Sequence, residues 1–343
     1  MHEHLPAQAR GVTPRRFAIG GVTVAPNLVL APMSGITDSA YRTLVKELNP
    51  GAVGLVVTEL VSVEALTRRN VRTRGMMRFR PLERPISIQL FGADPERMAA
   101  SARLAEDLGA DVVDVNCGCP APKVTRKGGG ADLMRRPAVL REILQALRRT
   151  LTIPFTVKLR AGWDAGSRNA VEVARMAEGE GAQAIAVHGR TRAQLYSGTA
   201  DWELVARVKQ AVAVPVIGSG DVTTAAGALA RLAETGVDGI MVGRAALAHP
   251  WIFREVEALQ RGLSLAPPTP AERLAAVAAL IARLEEELPP KAALGRSRGL
   301  ACRMVKHLRG GAELRAALTR APTTAAMREL LAASSALAYE SAA

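Results

Sequence analysis

The strongest constraint on this chain is an eightfold alternation running from about residue 20 to residue 255. Short runs rich in Val and Ile fall at 28–31, 53–58, 86–90, 112–115, 155–159, 184–187, 214–217 and 239–242. Longer stretches of Ala, Leu and Arg with helical spacing separate them, among them 95–108, 135–149, 168–180, 202–212 and 223–234. A short apolar run between two helices buries both of its faces, which is how a parallel strand reads. Eight such units predict an α/β fold, the (β/α)8 TIM barrel. The alternative is a doubly wound sheet, which often carries a Gly-x-Gly-x-x-Gly turn after its first strand. No such turn follows a strand here, and Gly128-Gly129-Gly130 reads as a flexible turn in a loop.

The alternation breaks after Arg254, and Pro267-Pro268-Thr269-Pro270 reads as a linker. Helical periodicity returns at 271–288, 294–308 and 325–338, with turn signals at Pro289-Pro290 and Gly310-Gly311. The expected organisation is an N-terminal extension over 1–20, a catalytic barrel over 21–262 and a small all-helical C-terminal domain over 271–340. Residues 1–16 hold no apolar run, so neither a signal peptide nor an anchor is expected there. No stretch of about 18 apolar residues occurs, so no membrane partner is expected.

Three cysteines, Cys117, Cys119 and Cys302, are too few and too odd in number for a disulfide scaffold. They point to a reducing cytoplasm. Cys117 and Cys119 have no second close pair or suitably spaced His to complete a metal site, so no metal is expected. The net charge of +13 would attract polyanions, of which nucleic acid is the commonest in a cytoplasm.

A barrel of this kind builds its active site from the C-terminal ends of its strands. Polar or special residues sit at all eight ends. The first ends in Pro32-Met33-Ser34, the second in Glu59, and the third contains Gln89. The fourth ends in Asn116 with Cys119 three residues on, and the fifth carries Lys158 and Arg160. The last three run into His188-Gly189-Arg190, Gly218-Ser219-Gly220-Asp221 and Gly243-Arg244. Glycines beside an arginine after strands seven and eight suit a cofactor phosphate. If the cofactor is FMN, Lys158 could stabilise negative charge on the reduced ring, Gln89 could bond its pyrimidine part, and Pro32 and Met33 could pack beneath it. A free thiol is mostly protonated near neutrality, so Cys119 can act as a general acid. A nucleophilic role ranks second, because no His or Asp partner lies nearby in sequence.

Several segments together resemble the tRNA-dihydrouridine synthases, the bacterial B-type branch most closely. They are Ala31-Pro32-Met33-Ser34-Gly35-Ile36-Thr37-Asp38, Gln89-Leu90, Asp114-Val115-Asn116-Cys117-Gly118-Cys119-Pro120, Lys123-Val124, Lys158-Leu159-Arg160-Ala161-Gly162-Trp163, His188-Gly189-Arg190-Thr191-Arg192 and Val242-Gly243-Arg244-Ala245. The resemblance implies an FMN barrel, reduced by NADPH, followed by a helical tRNA-binding domain. A hydride would pass to C6 of a tRNA uridine, in the D-loop, while Cys119 protonates C5. The uridine must be extruded from the folded RNA to reach such a pocket.

By the same carry-over, FMN contacts fall on Pro32, Met33, Ser34, Gln89, Lys158, His188, Ser219, Gly220, Asp221, Gly243 and Arg244. Substrate contacts fall on Asn116, Arg160, Lys123 and Arg190 at the pocket and on Arg296, Arg298 and Arg303 in the tail. Ser219 stands where the family commonly has Asn. The tail offers Arg296, Arg298, Arg303, Lys306, His307 and Arg309 without aromatics, so phosphate contact is expected rather than base stacking. No obligatory protein partner is expected, and a monomer is favoured. The rival expectations are an FMN barrel acting on a free pyrimidine or enone, and a non-enzymatic RNA-binding protein on the same barrel.

Overall fold

The computed structural model describes residues 15–306 and 308–340. His307 and the first fourteen residues of the expected extension lie outside them. The chain opens with a hairpin of β1 (Phe17–Ile19) and β2 (Val22–Val24), turning at Gly20 with φ +54°. The parallel strands that follow are β3 (Leu28–Leu30), β4 (Leu55–Val57), β5 (Val61–Ser62), β6 (Ile86–Phe91), β7 (Val112–Cys117), β8 (Phe155–Arg160), β9 (Ile185–His188), β10 (Val216–Ser219) and β11 (Gly239–Val242). Pairing runs β3-β4-β6-β7-β8-β9-β10-β11 and returns to β3, a closed barrel of eight strands. The short β5 continues the second strand and pairs with the far end of β6.

Side chains alternate inward and outward along each strand. Leu28, Leu30, Ile86, Ile88, Leu90, Val113, Val115, Cys117, Val157 and Leu159 pack outward, in one cluster with the surrounding helices. Val29, Ala31, Leu55, Val57, Val112, Ala184, Ala186, Ile217 and Met241 face inward and form a separate core within the barrel. Phe17, Ile19 and Val24 of the hairpin belong to that inner core, so the hairpin plugs one end. Phe17 lies against Gly239, the first residue of β11, which identifies that end as the N-terminal one. Phe17 and Ile19 of this plug fall in the segment expected as an N-terminal extension, and Val24 in the segment expected as barrel. At the opposite end the inward parity falls on Gln89, Asp114, Asn116, Thr156, Lys158, Arg160, His188, Ser219 and Gly243.

The tail comprises the helices Pro270–Glu287, Pro290–Met304, Gly311–Arg320 and Thr324–Glu340. The third was read only as a turn, because its Gly310-Gly311 start is a strong turn signal; Gly310 is left-handed at φ +67° and leads directly into the helix. The linker proline sets up the first helix: Thr269 and Glu272 form a reciprocal capping box with Pro270 in the first turn. Leu274, Val277, Leu280, Ile281 and Leu284 on that helix join the barrel's outer apolar cluster. Ion pairs of Arg80 with Glu286 (3.3 Å) and Glu287 (3.0 Å), and of Arg283 with Glu47, add to the junction.

The base of the second loop is held by a buried pair. Arg42, from the helix Ser39–Leu48, places Nε 2.5 Å from Glu83, with both side chains fully buried. Arg42 also donates to the carbonyls of Thr37 (2.6 Å) and Arg78 (2.7 Å). Glu83 accepts from Ser39, Thr43 and the Arg80 backbone. Removing one member strands the other charge in apolar surroundings. Glu83→Ala should therefore cost about 3–5 kcal/mol in urea denaturation. Arg42→Met should cost a comparable amount, and the double variant no more than either single one. Additive losses would show that the two residues do not act as a unit.

Candidate active site

Adjacent strands put the inward polar residues in register: Gln89 opposite Asp114, Asp114 opposite Thr156, and Asn116 opposite Lys158. A hydrogen-bond relay results. Thr156 Oγ1 (2.5 Å) and Gln89 Nε2 (2.7 Å) donate to the two oxygens of Asp114. Asn116 Nδ2 donates to Gln89 Oε1 at 2.7 Å. Asn116 Oδ1 then accepts from the backbone N–H groups of Gly118 (3.2 Å) and Cys119 (2.8 Å). Burial raises the Asp114 pKa against the opposing pull of the Thr156 and Gln89 bonds. The relay thus fixes the turn that presents Cys119, which is partly exposed, whereas Cys117 is buried in the outer core. Burial, and then Asp114, push the Cys117 thiol far above its ordinary range, so it stays a neutral packing group.

The triple glycine supports this turn from below. Ala131 N–H donates to Cys119 O at 3.0 Å. A Cβ on Gly130, which has φ +60°, would lie 2.7 Å from that same oxygen. Close packing, rather than flexibility, is what these glycines supply.

Arg160 joins two loops of the mouth. Its Nε donates to Gly118 O (2.7 Å), and its Nη1 donates to Thr191 O (2.8 Å) and Leu195 O (2.9 Å). Lys158 is partly exposed and has no carboxylate within ion-pair reach among the described residues. Burial, and then Arg160, lower its pKa to about 8. Both cations lie close enough to interact electrostatically with Cys119. Burial, then Lys158, Arg160 and Arg190, drive the His188 pKa down to about 2, so its ring is neutral. Its Nδ1 faces the Arg190 N–H at 3.4 Å, which leaves Nε2 as the protonated nitrogen.

Ser219, Gly220, Asp221, Gly243 and Arg244 gather where β10 and β11 end side by side. In the ring of eight strands this corner lies across the mouth from β7, whose following loop carries Cys119. A Cβ on Gly243 would meet nothing closer than 3.5 Å, so the protein itself leaves space over that backbone. Asp221, left-handed at φ +53°, accepts both Arg190 nitrogens at 2.8 Å, the Ala200 N–H at 2.8 Å and Arg244 at 3.3 Å. Burial opposes its ionisation, but the Arg190 and Ala200 bonds outweigh that and lower its pKa. Arg244 remains half-exposed beside the glycines, and this corner can hold a phosphate.

Other expected contacts are engaged within the chain. Gln89 is fully buried and commits its amide to the relay. Arg190 is 2% exposed and spends its guanidinium on Asp221 and the carbonyls of Ser197 and Gly198. Arg296 pairs with Asp38 (3.0 Å) and Glu59 (3.4 Å) instead of facing solvent. Burial raises the Asp38 pKa to about 6 against the pull of Arg296. Arg298 donates to Ala321 O at 2.5 Å. Lys123, Ser34 and Arg303 are exposed, while Pro32 and Met33 are partly so. Sequence reasoning missed Tyr196, whose ring is 57% exposed at the mouth with Arg244 and Arg160 at 4.7 and 5.8 Å from its centroid. The only sequence signal was its place eight residues after His188 in the sixth loop.

Among solved structures, the histamine dehydrogenase from Rhizobium sp. 4-9 aligns with a TM-score of 0.56 at 14% identity, over 80% of this chain and 51% of that one. That likeness shows the barrel fold. Residues 29–338 match the family described as Dihydrouridine synthase (Dus). The tRNA-dihydrouridine synthase B of Pseudomonas putida is 45% identical over 240 residues, 70% of each chain. A probable tRNA-dihydrouridine synthase of Mycobacterium tuberculosis is 44% identical over 274 residues, covering 77% of this chain and 70% of that one. A match across nearly all of both the barrel and the tail, with relatives this similar, places the chain in the dihydrouridine synthase family of oxidoreductases.

Proposed function

We propose that this protein reduces the C5=C6 bond of a D-loop uridine in tRNA to 5,6-dihydrouridine, with FMN as resident cofactor and NADPH as reductant. The observation that carries the reading is the placement of Cys119: a partly exposed thiol on a rigid turn, facing a glycine-and-arginine corner across one barrel mouth.

The residues present fit FMN. Gly220, Gly243 and Arg244 would take its phosphate, with Ser219 beside them and Asp221 orienting Arg244. Lys158, cationic and without a carboxylate partner among the described residues, would face the anionic edge of the reduced ring. His188 would donate from Nε2, and Pro32, Met33 and Ser34 would line the side of the first strand. Gln89 would act mainly through the relay. When bound and reduced by NADPH, FMN would supply the hydride for C6 of the uracil.

The remaining chemistry belongs to the chain. Cys119 Sγ gives its proton to C5, and solvent reprotonates the thiolate left behind. Asn116 holds the turn so that the thiol need not reorganise. The exposed face of Tyr196 suits stacking of a flat base, and Lys123 sits just past Cys119 for a phosphate. The tail would contribute Arg303 to the RNA backbone, while Arg296 and Arg298 would chiefly hold the tail in place.

The purified protein should be yellow, release FMN on denaturation, and form dihydrouridine in an unmodified tRNA transcript supplied with NADPH. Efficient turnover of free uracil with none in the transcript would instead identify a small-molecule reductase. Cys119→Ala should lower the rate at least ~100-fold with flavin content unchanged. Cys117→Ala should retain activity, and full activity in Cys119→Ala would remove the acid from the scheme. Gly243→Val should purify folded but depleted of flavin; full occupancy would place the phosphate elsewhere.

A further inference from the structure

The second loop carries a run of arginines that the site does not use. Arg68, Arg69, Arg72, Arg74, Arg78, Arg80 and Arg84 fall between the second and third barrel strands, a segment that leaves the active-site end after β5 and reaches the opposite end at Arg84, beside Asp111. Three of them are paired: Arg68 with Glu64, Arg80 with the tail glutamates Glu286 and Glu287, and Arg84 with Asp111. Arg69, Arg72, Arg74 and Arg78 are exposed and have no carboxylate within ion-pair distance among the described residues. Val71, in their midst, is 82% exposed.

The segment is built as a rigid ledge. Ser62 caps the helix Val63–Thr67, and Asn70 caps the helix Val71–Gly75. Leu66 and Met77 anchor the two ends in the outer core. The buried Arg42 grips the Arg78 carbonyl from below. Cations fixed on a ledge lose less freedom on meeting a ligand than cations on a free loop.

The contrast with the tail selects the partner. Arg296 and Arg298, placed by the sequence against RNA, are spent inside the chain. Exposed positive charge at the active-site end lies on the second loop, along with Lys123 of the fourth loop and Arg244. The carboxylates Glu64, Glu287 and Asp111 are already paired with Arg68 and Arg97, Arg80, and Arg84. Four unpaired guanidiniums on a fixed surface match successive phosphates of a nucleic-acid backbone.

We propose that the second-loop ledge, through Arg69, Arg72, Arg74 and Arg78, is the surface on which the barrel holds the tRNA phosphate backbone. The inference rests on the tRNA reading above and deepens it. Phosphate contacts position a nucleic acid without reading its sequence, so the ledge orients the RNA while the mouth receives the uridine.

The test is a quadruple variant, R69Q/R72Q/R74Q/R78Q, compared with R148Q/R149Q/R175Q/R207Q, which removes equal charge from the outer barrel helices. Binding of an unmodified tRNA transcript is measured across a range of salt concentrations. The ledge variant should lose at least ~10-fold in affinity, and its log–log salt slope should fall by about 3, with the KM for tRNA raised. The outer-helix variant should change little, and both should keep the wild-type urea midpoint. Equal losses in the two variants would overturn the ledge in favour of general charge. Undiminished tRNA binding in the ledge variant, with wild-type binding intact, would overturn it outright. A wild-type protein that binds no tRNA would overturn the functional reading itself.

Discussion

One buried carboxylate organises the active end of this barrel. Asp114 faces inward from β7 above a largely apolar inner core, and its burial resists ionisation. The two oxygens are satisfied by Thr156 and Gln89, on the strands to either side. Gln89 then has a carbonyl left over for Asn116, and Asn116 has one left over for the Cys119 turn. Each bond exists because the previous group would otherwise be buried and unpaired, at a cost of about 1–3 kcal/mol. A partly exposed thiol is thereby placed by side chains that spend their polar groups on one another.

Arginine performs the corresponding task between loops. Arg160 ties the fourth loop to the sixth, and Arg190 ties the sixth to the seventh through Asp221. Arg42 ties the first loop to the second, and Arg296 ties the tail to the first and second. A planar cation with five donors can satisfy several carbonyls at once, which lysine cannot do. These four arginines are therefore internal mortar, fixed within the chain and not offered to a polyanion.

The barrel was legible because its signal is local and repeated. Val and Ile runs such as 86–90 and 112–115 have no other stable use between helices, and the strand ends follow from the fold. Cys119 was legible from position, since the fourth strand end belongs to the mouth. Partner choice was not legible. Nothing local to Arg296 reveals that Asp38 and Glu59, more than two hundred residues away, will neutralise it. Gln89 reads as a polar group at a mouth, yet parity and register turn its amide into a link between two neighbours. The hairpin at residues 17–24 was missed because three-residue strands carry too little periodicity to stand out. The helix Gly311–Arg320 was hidden by the two glycines before its first full turn.

The tail helices share an unbroken apolar cluster with the outer layer of the barrel. The helix Pro270–Glu287 packs on the barrel helix Ser39–Leu48 as well as on the other tail helices, so the tail is no cassette that can be cut out and grafted onto another barrel. Divergence of substrate choice in such a chain is confined to repainting exterior charge, one arginine at a time, on a chassis that must move as a whole.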